Sequence, residues 1–333
     1  MLASDKDKTR VNLPMPYGWF HVLYSHELEV GQSKPLNYFD QELVAFRTES
    51  GVAKVVDAYC PHMGAHLGYG VRSHSGTGAA VVGESIVCPF HGWQYNGEGQ
   101  CTKIPYSAKV PPRIQRGEQV LGSWQVREMN QTIMVWYHPE GIAPLFEPEL
   151  IPEAAADNDA WTAPHIVSRD IYTHMQEIGE NAVDAAHFHF VHGTDEIPEV
   201  AAQVFDGHSM HGSLSTRQPT PRGVVDANIE NRSVGPGLSH VWFTGICYTL
   251  LLASLTPVTK THTRANYAYI QKKEALAGGN AKLGAALLAN LDRQQAEDII
   301  IWNRKKHYKR PLLCNADGAF MQFRRWYSQF LVE

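Results

Sequence analysis

The segments Cys60-Pro61-His62-Met63-Gly64-Ala65-His66 and Cys88-Pro89-Phe90-His91-Gly92-Trp93 decide how the first half of this chain is read. Each carries one cysteine and one histidine at the tip of a turn, so two such turns facing each other present two thiolates and two imidazoles. Around them, from Tyr17 to about Pro139, short apolar runs are separated by Gly, Pro, Asn and Asp. Residues 19–24, 43–47, 52–56 and 132–137 read as strands of a small antiparallel β domain. The Gly- and Ser-rich piece 73–79 reads as a loop tip inside it.

Two sulfur and two nitrogen donors form the set that a Rieske [2Fe-2S] centre needs, with Cys60 and Cys88 on one iron and His62 and His91 on the other. Zinc also accepts two cysteines and two histidines, and four such residues can serve packing alone. The proline after each cysteine and Gly92 after His91 favour pre-shaped turns around a cluster, and Cys-x-His is an unusual zinc spacing. His66 lies close to Cys60, but its spacing fits less well than that of His62.

The whole chain has 333 residues, 29 Lys+Arg against 34 Asp+Glu for a net charge of −5, 17 His and five Cys. That is room for two domains with cores of their own. The mild negative charge argues against an electrostatic grip on nucleic acid. Five scattered cysteines do not make a disulfide framework, and Cys101, Cys247 and Cys314 read as small buried residues or inert thiols. The apolar stretch 241–255 is interrupted by Thr244, Gly245, Thr249 and Ser254 and is short of a membrane span. The opening MLASDKDKTR is charged and has no apolar signal core. A cytoplasmic protein without a membrane span is expected.

A Pro- and acid-rich passage at about 140–160 reads as a linker between domains at 15–140 and 160–333. Beyond it the pattern predicts a helix near 173–190, strands around 201–217, 222–232, 239–255 and 259–271, and an amphipathic helix from about 281 to 309. Strands grouped together with helices at the ends argue for α+β rather than a parallel α/β sheet. Trp242, Phe243 and Tyr248 alternate with smaller residues and fit a pocket wall, although core packing explains such a pattern more often.

The segment from Glu177 to Gly193 is the second concentration of metal-competent groups. On a helix Asp184 and His187 share a face, as do Glu177, Glu180 and Asp184. His192 lies five beyond His187, which an ideal helix would turn away by roughly 140°. The helix therefore has to widen or end between them, and Gly193 is a plausible terminator. Two histidines and a carboxylate make the facial triad of a non-haem Fe(II) oxygenase. Periodicity alone does not choose among Asp292, Glu297 and Asp298 on the last helix. His189 and His21 read as ordinary packing or surface histidines.

These motifs together resemble the Rieske non-haem iron oxygenases. CPHMGAHLGYG followed by CPFHGWQYNGEGQC is similar to their Rieske domain, with a longer separation between His62 and Cys88 that the loop at 73–79 accounts for at small entropic cost. The Asp-x2-His-x4-His pattern, with Asp298 four before Trp302, is similar to their catalytic domain. That resemblance implies His187, His192 and Asp298 as iron ligands. It also implies that Asp184 is a bridge carrying electrons between the cluster of one subunit and the iron of the next, in a head-to-tail trimer. The implied fold is an N-terminal antiparallel β Rieske domain followed by a helix-grip domain, an antiparallel sheet with a long C-terminal helix.

Residues 104–106, 180–188, 301–306, 310–313, 317–318 and 323–330 look like the oxygenase components of 3-ketosteroid 9α-hydroxylases and the related cholesterol 7-desaturases. The resemblance implies a monooxygenase with a [2Fe-2S] cluster and a mononuclear Fe(II), which takes electrons from an NADH-dependent ferredoxin-type reductase and uses O2 to hydroxylate a steroid or sterol. An aromatic-acid monooxygenase or O-demethylase on the same scaffold, or a sterol desaturase, is the alternative. Substrate and position of attack depend on pocket shape, which the sequence does not give.

Overall fold

The computed structural model describes residues 10–70, 79–201, 203–220, 223–245, 247–278 and 280–332; all of the loop tip read at 73–79 except Ala79 lies outside them. The chain divides into two compact units, one of them His21–Tyr137 and the other built from the chain on either side of it.

Within His21–Tyr137, strands Ser33–Tyr38, Gln41–Arg47 and Ala53–Asp57 form an antiparallel sheet. Four short strands, Val81–Val82, Ser85–Val87, Gln94–Asn96 and Cys101–Lys103, form another. Strands Val126–Met129 and Thr132–Tyr137 pair as a hairpin. Both Asn130 and Gln131 have positive φ at its turn, as do Phe39 and Asp40 between the first two strands. Two consecutive positive φ angles match the right-handed twist of the strands they join. A bulky residue pays for that conformation, and Phe39 is held in it by stacking on Tyr137 at 4.7 Å and 5°. Val44, Phe46, Val56, Leu67, Ile86 and Tyr95 make the core, and Cys60 and Cys88 are buried in it.

The second unit is built on an eight-stranded sheet. Its order runs His165–Ile171, His262–Gln271, Thr249–Thr259, Leu238–Phe243, Gly223–Val234, Ser209–Thr220 and Glu199–Val200, with Val204–Asp206 also on Ser209–Thr220. Every pairing is antiparallel. Because side chains alternate along a strand, Leu251, Tyr267 and Tyr269 face the long helix Ala281–Trp302 through its Leu287 and Leu291. Leu250 and Ile270 face the other way, against Ile151, Ala154 and Trp161. This is the α+β, helix-grip arrangement expected. No helix among the described residues is long and apolar enough to cross a membrane.

Several elements differ from the sequence reading. The helix expected at 173–190 is three pieces, Met175–Gly179, Glu180–Val183 and Ala186–Phe190, broken at Asp184, which is extended. Aspartate competes for backbone donors inside a helix, and here its Oδ1 accepts the His187 N–H at 3.2 Å. The expected 281–309 helix ends at Trp302, because Lys305 and His307 are drawn to a buried carboxylate. The 239–255 stretch is two strands that turn at Gly245, whose φ is +109° and where a Cβ would stand 2.5 Å from the Asp226 carbonyl oxygen. Strand His165–Ile171 was not anticipated; it carries no clear alternation, and its exposure varies little from Ile166 to Arg169. Cys314 is exposed rather than buried.

Gly99 has φ +75°, and a Cβ there would lie 1.9 Å from the Leu121 carbonyl oxygen. Gly99→Ala should destabilise the first unit by more than about 1 kcal/mol, read as a lowered urea midpoint; an unchanged midpoint would refute the close approach.

Candidate metal centres

The two Cys/His turns are built alike. Cys60 N–H bonds to the Ala65 carbonyl at 2.9 Å and Gly64 N–H returns to Cys60 O at 2.9 Å; Cys88 N–H bonds to Trp93 O at 2.7 Å and Gly92 N–H returns to Cys88 O at 2.9 Å. Gly64 and Gly92 have φ of 73° and 72°, a region glycine enters without strain. Only the histidine differs in place, two residues after Cys60 and three after Cys88. The sequence signal for this repeat is Cys-Pro-x-x-Gly, of which the sequence reading used both prolines and Gly92 but not Gly64.

The turns bring all four predicted donors together. The rings of His62 and His91 lie 4.9 Å apart at 73°, and Trp93 stacks on His62 at 4.3 Å. Trp93 Nε1 donates to Tyr106 Oη at 2.8 Å, which fixes that ring. Nδ1 of His62 and Nδ1 of His91 are both buried with no hydrogen-bond partner. Orphaned buried nitrogens cost about 1–3 kcal/mol each, and a metal bound there removes the cost. A hydrogen bond from Cys88 pulls the Cys60 thiol down to about 5, against its burial, and the same contact pushes Cys88 up. Tyr95 Oη is also 3.1 Å from Cys60 Sγ. Two thiolate-competent sulfurs and two free nitrogens fit a [2Fe-2S] cluster. His66 is not among them, since its Nδ1 accepts the Gly68 N–H at 2.9 Å.

The second centre lies in the other unit. Donor atoms of His187, His192 and Asp298 all lie within 4.8 Å of one another. The break at Asp184 and the end of helix Ala186–Phe190 solve the spacing problem: Val191 N–H closes on His187 O, and Gly193, at φ +73°, ends the turn that carries His192. His187 Nδ1 bonds to the Asp184 carbonyl oxygen at 2.5 Å and His192 Nδ1 to Glu297 Oε2 at 3.1 Å. With those nitrogens occupied, each Nε2 is left to offer its lone pair to an ion. Burial keeps the His187 imidazole below its ordinary pKa despite Asp298 and Asp184, as a ligand must be neutral. At His192 burial is outweighed by Asp298 and Glu297, and the pKa rises.

Of the three carboxylates left open by periodicity, Asp298 faces the imidazoles, 3.4 Å from His192 Nε2. Glu297 holds the far side of His192, and Asp292 is paired with Arg169 at 2.6 Å. Asn181 was not given a role in the sequence reading; its Nδ2 donates to Asp298 Oδ2 at 3.1 Å and lies 3.2 Å from His187 Nε2. Asp184 contributes its backbone carbonyl to His187 and one carboxylate oxygen to the His187 N–H.

Behind the ligand segment is a buried ionic cluster. Glu177 and Glu180 are almost fully buried. Lys305 Nζ meets both, at 3.0 Å from Glu177 Oε2. His307 Nδ1 is 2.7 Å from Glu177 Oε1, and Arg324 Nε 2.7 Å from Glu180 Oε1. The cluster ties the start of the ligand segment to the chain beyond Trp302 and to the C-terminal helix Phe320–Tyr327.

Next to His187, His192 and Asp298 opens a cavity of about 250 Å³ between sheet and helix. Its wall is mainly aliphatic and aromatic, including Leu251, Leu255, Tyr267 and Leu291, and no Lys or Arg is among the described residues that line it. The alternation of residues 242–248 divides between faces: Phe243 lines the cavity, whereas Trp242 and Tyr248 pack on the opposite side with Trp161.

Comparison with known proteins matches each part of the chain to a known domain. Residues 18–115 match the Rieske [2Fe-2S] domain, and residues 135–331 match the 3-ketosteroid 9alpha-hydroxylase C-terminal domain. Cholesterol 7-desaturase nvd of Xenopus laevis is 32% identical over 346 residues, covering 95% of this chain and 71% of that protein. A 3-ketosteroid-9-alpha-monooxygenase oxygenase component of Rhodococcus rhodochrous is 31% identical over 338 residues, covering 95% and 84%. The solved structure of dicamba monooxygenase bound to dicamba has the same fold, with a TM-score of 0.71 at 17% identity over 94% of this chain and 96% of that one.

The ionic cluster makes two measurable demands. Burial raises the Glu177 pKa, but His307 and Lys305 more than offset it and hold it at about 2, below the ordinary 4.5. Its contribution to stability is therefore complete above pH 4.5 and is lost as pH falls towards 2, so urea midpoints should drop across that window and drop less in Glu177→Gln. Arg324→Leu leaves Glu180 short of a cation and should cost on the order of 3 kcal/mol. A melting temperature equal to that of the unmodified chain would show that the pair is idle.

Proposed function

Since the chain belongs to the Rieske oxygenases, a family of oxidoreductases, in the branch defined by the 3-ketosteroid 9α-hydroxylase catalytic domain, we propose that it is the oxygenase component of a steroid or sterol monooxygenase. The cluster is assigned to Cys60, His62, Cys88 and His91 in a domain at 15–140, and a mononuclear Fe(II) to His187, His192 and Asp298 in a domain at 160–333. When bound, these groups supply stored electrons and the activation of O2 for oxidation of a C–H bond. An NADH-dependent ferredoxin-type reductase is the electron source, and the working unit is a homotrimer.

The protein's own part is positioning. Asp184 O and Glu297 fix the two imidazole tautomers, and Asn181 orients the Asp298 carboxylate. The apolar wall excludes water and aims one carbon at the ligand group. The observation that carries the substrate reading is that wall: it is broad, apolar and without a cation. An aromatic acid would bury its carboxylate there with no cation to pair it, which is costly, whereas a neutral fused-ring substrate buries no charge. Hydroxylation is preferred over desaturation, and the two differ in product alone.

Turnover with a surrogate reductase and NADH, offered ketosteroids, sterols and aromatic acids, should give one added oxygen on a steroid by mass spectrometry. Loss of two hydrogens would make it a desaturase, and product from aromatic acids alone would refute the steroid reading. Asp184 is assigned as the bridge for electrons between subunits. Asp184→Ala should keep cluster and iron but lower the rate of cluster-to-iron electron transfer at least a hundredfold in single-turnover experiments; a rate within threefold of the unmodified protein would end that assignment.

A further inference from the structure

The sheet face that closes the cavity is aliphatic and aromatic except at one place. Side chains alternate along each strand, so Asn231 and Ser233 on Gly223–Val234 share the cavity side with Ser239 on Leu238–Phe243. Ser233 sits directly across from Ser239, and Asn231 from Val241 on one side and Gly212 on the other. Ser233 Oγ donates to Ser239 Oγ at 3.2 Å, which leaves the Ser239 hydroxyl hydrogen for a third group. The Asn231 side chain is half-buried, and no hydrogen bond joins it to the described residues. Gly212 leaves it room, since a Cβ there would stand 3.2 Å from Asn231 Oδ1.

A polar group on an apolar wall costs stability unless a partner satisfies it. An amide that donates and accepts, beside a hydroxyl with a spare hydrogen, matches an uncharged oxygen, either a ketone or an alcohol. We infer that Asn231, with Ser239 held by Ser233, binds the oxygen function of an otherwise hydrocarbon fused-ring substrate and so selects oxygenated steroids over their deoxy analogues. This rests on the reading of the cavity as the substrate site and names the feature of the substrate that the site recognises. A site built to hydrogen-bond a substrate oxygen rejects the analogue without it far more strongly than an apolar pocket rejects a missing methylene.

The test is equilibrium binding by calorimetry to the full chain, replete in both metals, with three tetracyclic ligands that differ only in carrying a ketone, a hydroxyl or hydrogen at one terminal-ring carbon. The unmodified protein should bind both oxygenated ligands at least tenfold more tightly than the deoxy one. Asn231→Leu should weaken the oxygenated ligands about tenfold and leave the deoxy ligand unchanged, with about threefold for Ser239→Ala. Asn231→Ala serves the same purpose if the leucine variant does not fold. Equal affinity for all three ligands in the unmodified protein, or an equal loss for all three in the variants, overturns the inference and leaves the cavity reading intact. Leu291→Trp narrows the cavity from the long helix, which carries no residue of the polar strip. If it leaves every affinity unchanged, the ligands bind elsewhere and the cavity reading falls together with the inference.

Discussion

The catalytic unit depends on two imidazoles whose outer nitrogens are already committed. His187 Nδ1 is held by the Asp184 carbonyl and His192 Nδ1 by Glu297, so both inner nitrogens must turn towards Asp298. Neither partner belongs to the donor set itself, yet together they convert three side chains from two distant parts of the chain into one group. The price is a broken helix: a continuous one would aim His192 away from His187.

The rest of that unit reads as support for this constraint. A helix broken at Asp184 keeps few intrahelical bonds, and short helices have little stability of their own. Two buried glutamates gripped by Lys305, His307 and Arg324 anchor it from behind. Buried ion pairs are costly to desolvate and add little net stability over apolar packing, so their value here is specificity of position. The basic run at 304–310 is divided by this demand: Lys305 and His307 turn inward, while Arg304, Lys306, Lys309 and Arg310 stay exposed. In the first unit the equivalent of this anchoring is the core itself, which holds both cysteines, while matched turns with a positive-φ glycine present the histidines.

Much of this was legible in the sequence, for physical reasons. Cysteine and histidine at turn tips signal metal sites because few other roles concentrate them, and the impossible His187–His192 spacing on an ideal helix announced a distortion before it was seen. Strands with period-two alternation, such as Leu238–Phe243, were found; His165–Ile171 was not, since its burial hardly alternates. The role of Asn181 and the choice among Asp292, Glu297 and Asp298 were out of reach of periodicity, because each depends on which helix face meets a segment a hundred residues away. The polar strip at Asn231, Ser233 and Ser239 was invisible for the same reason: only strand register places it on the cavity side.

The central claim is that one chain holds two different iron centres in separate units. Electron paramagnetic resonance of the purified protein tests it most directly, on the dithionite-reduced form and on the nitric oxide adduct, in the unmodified chain and in His192→Ala. The account predicts the signal of a reduced Rieske cluster in both proteins and a mononuclear iron–nitrosyl signal in the unmodified chain only. A nitrosyl signal that survives in His192→Ala, or a reduced protein without a Rieske signal, would contradict it.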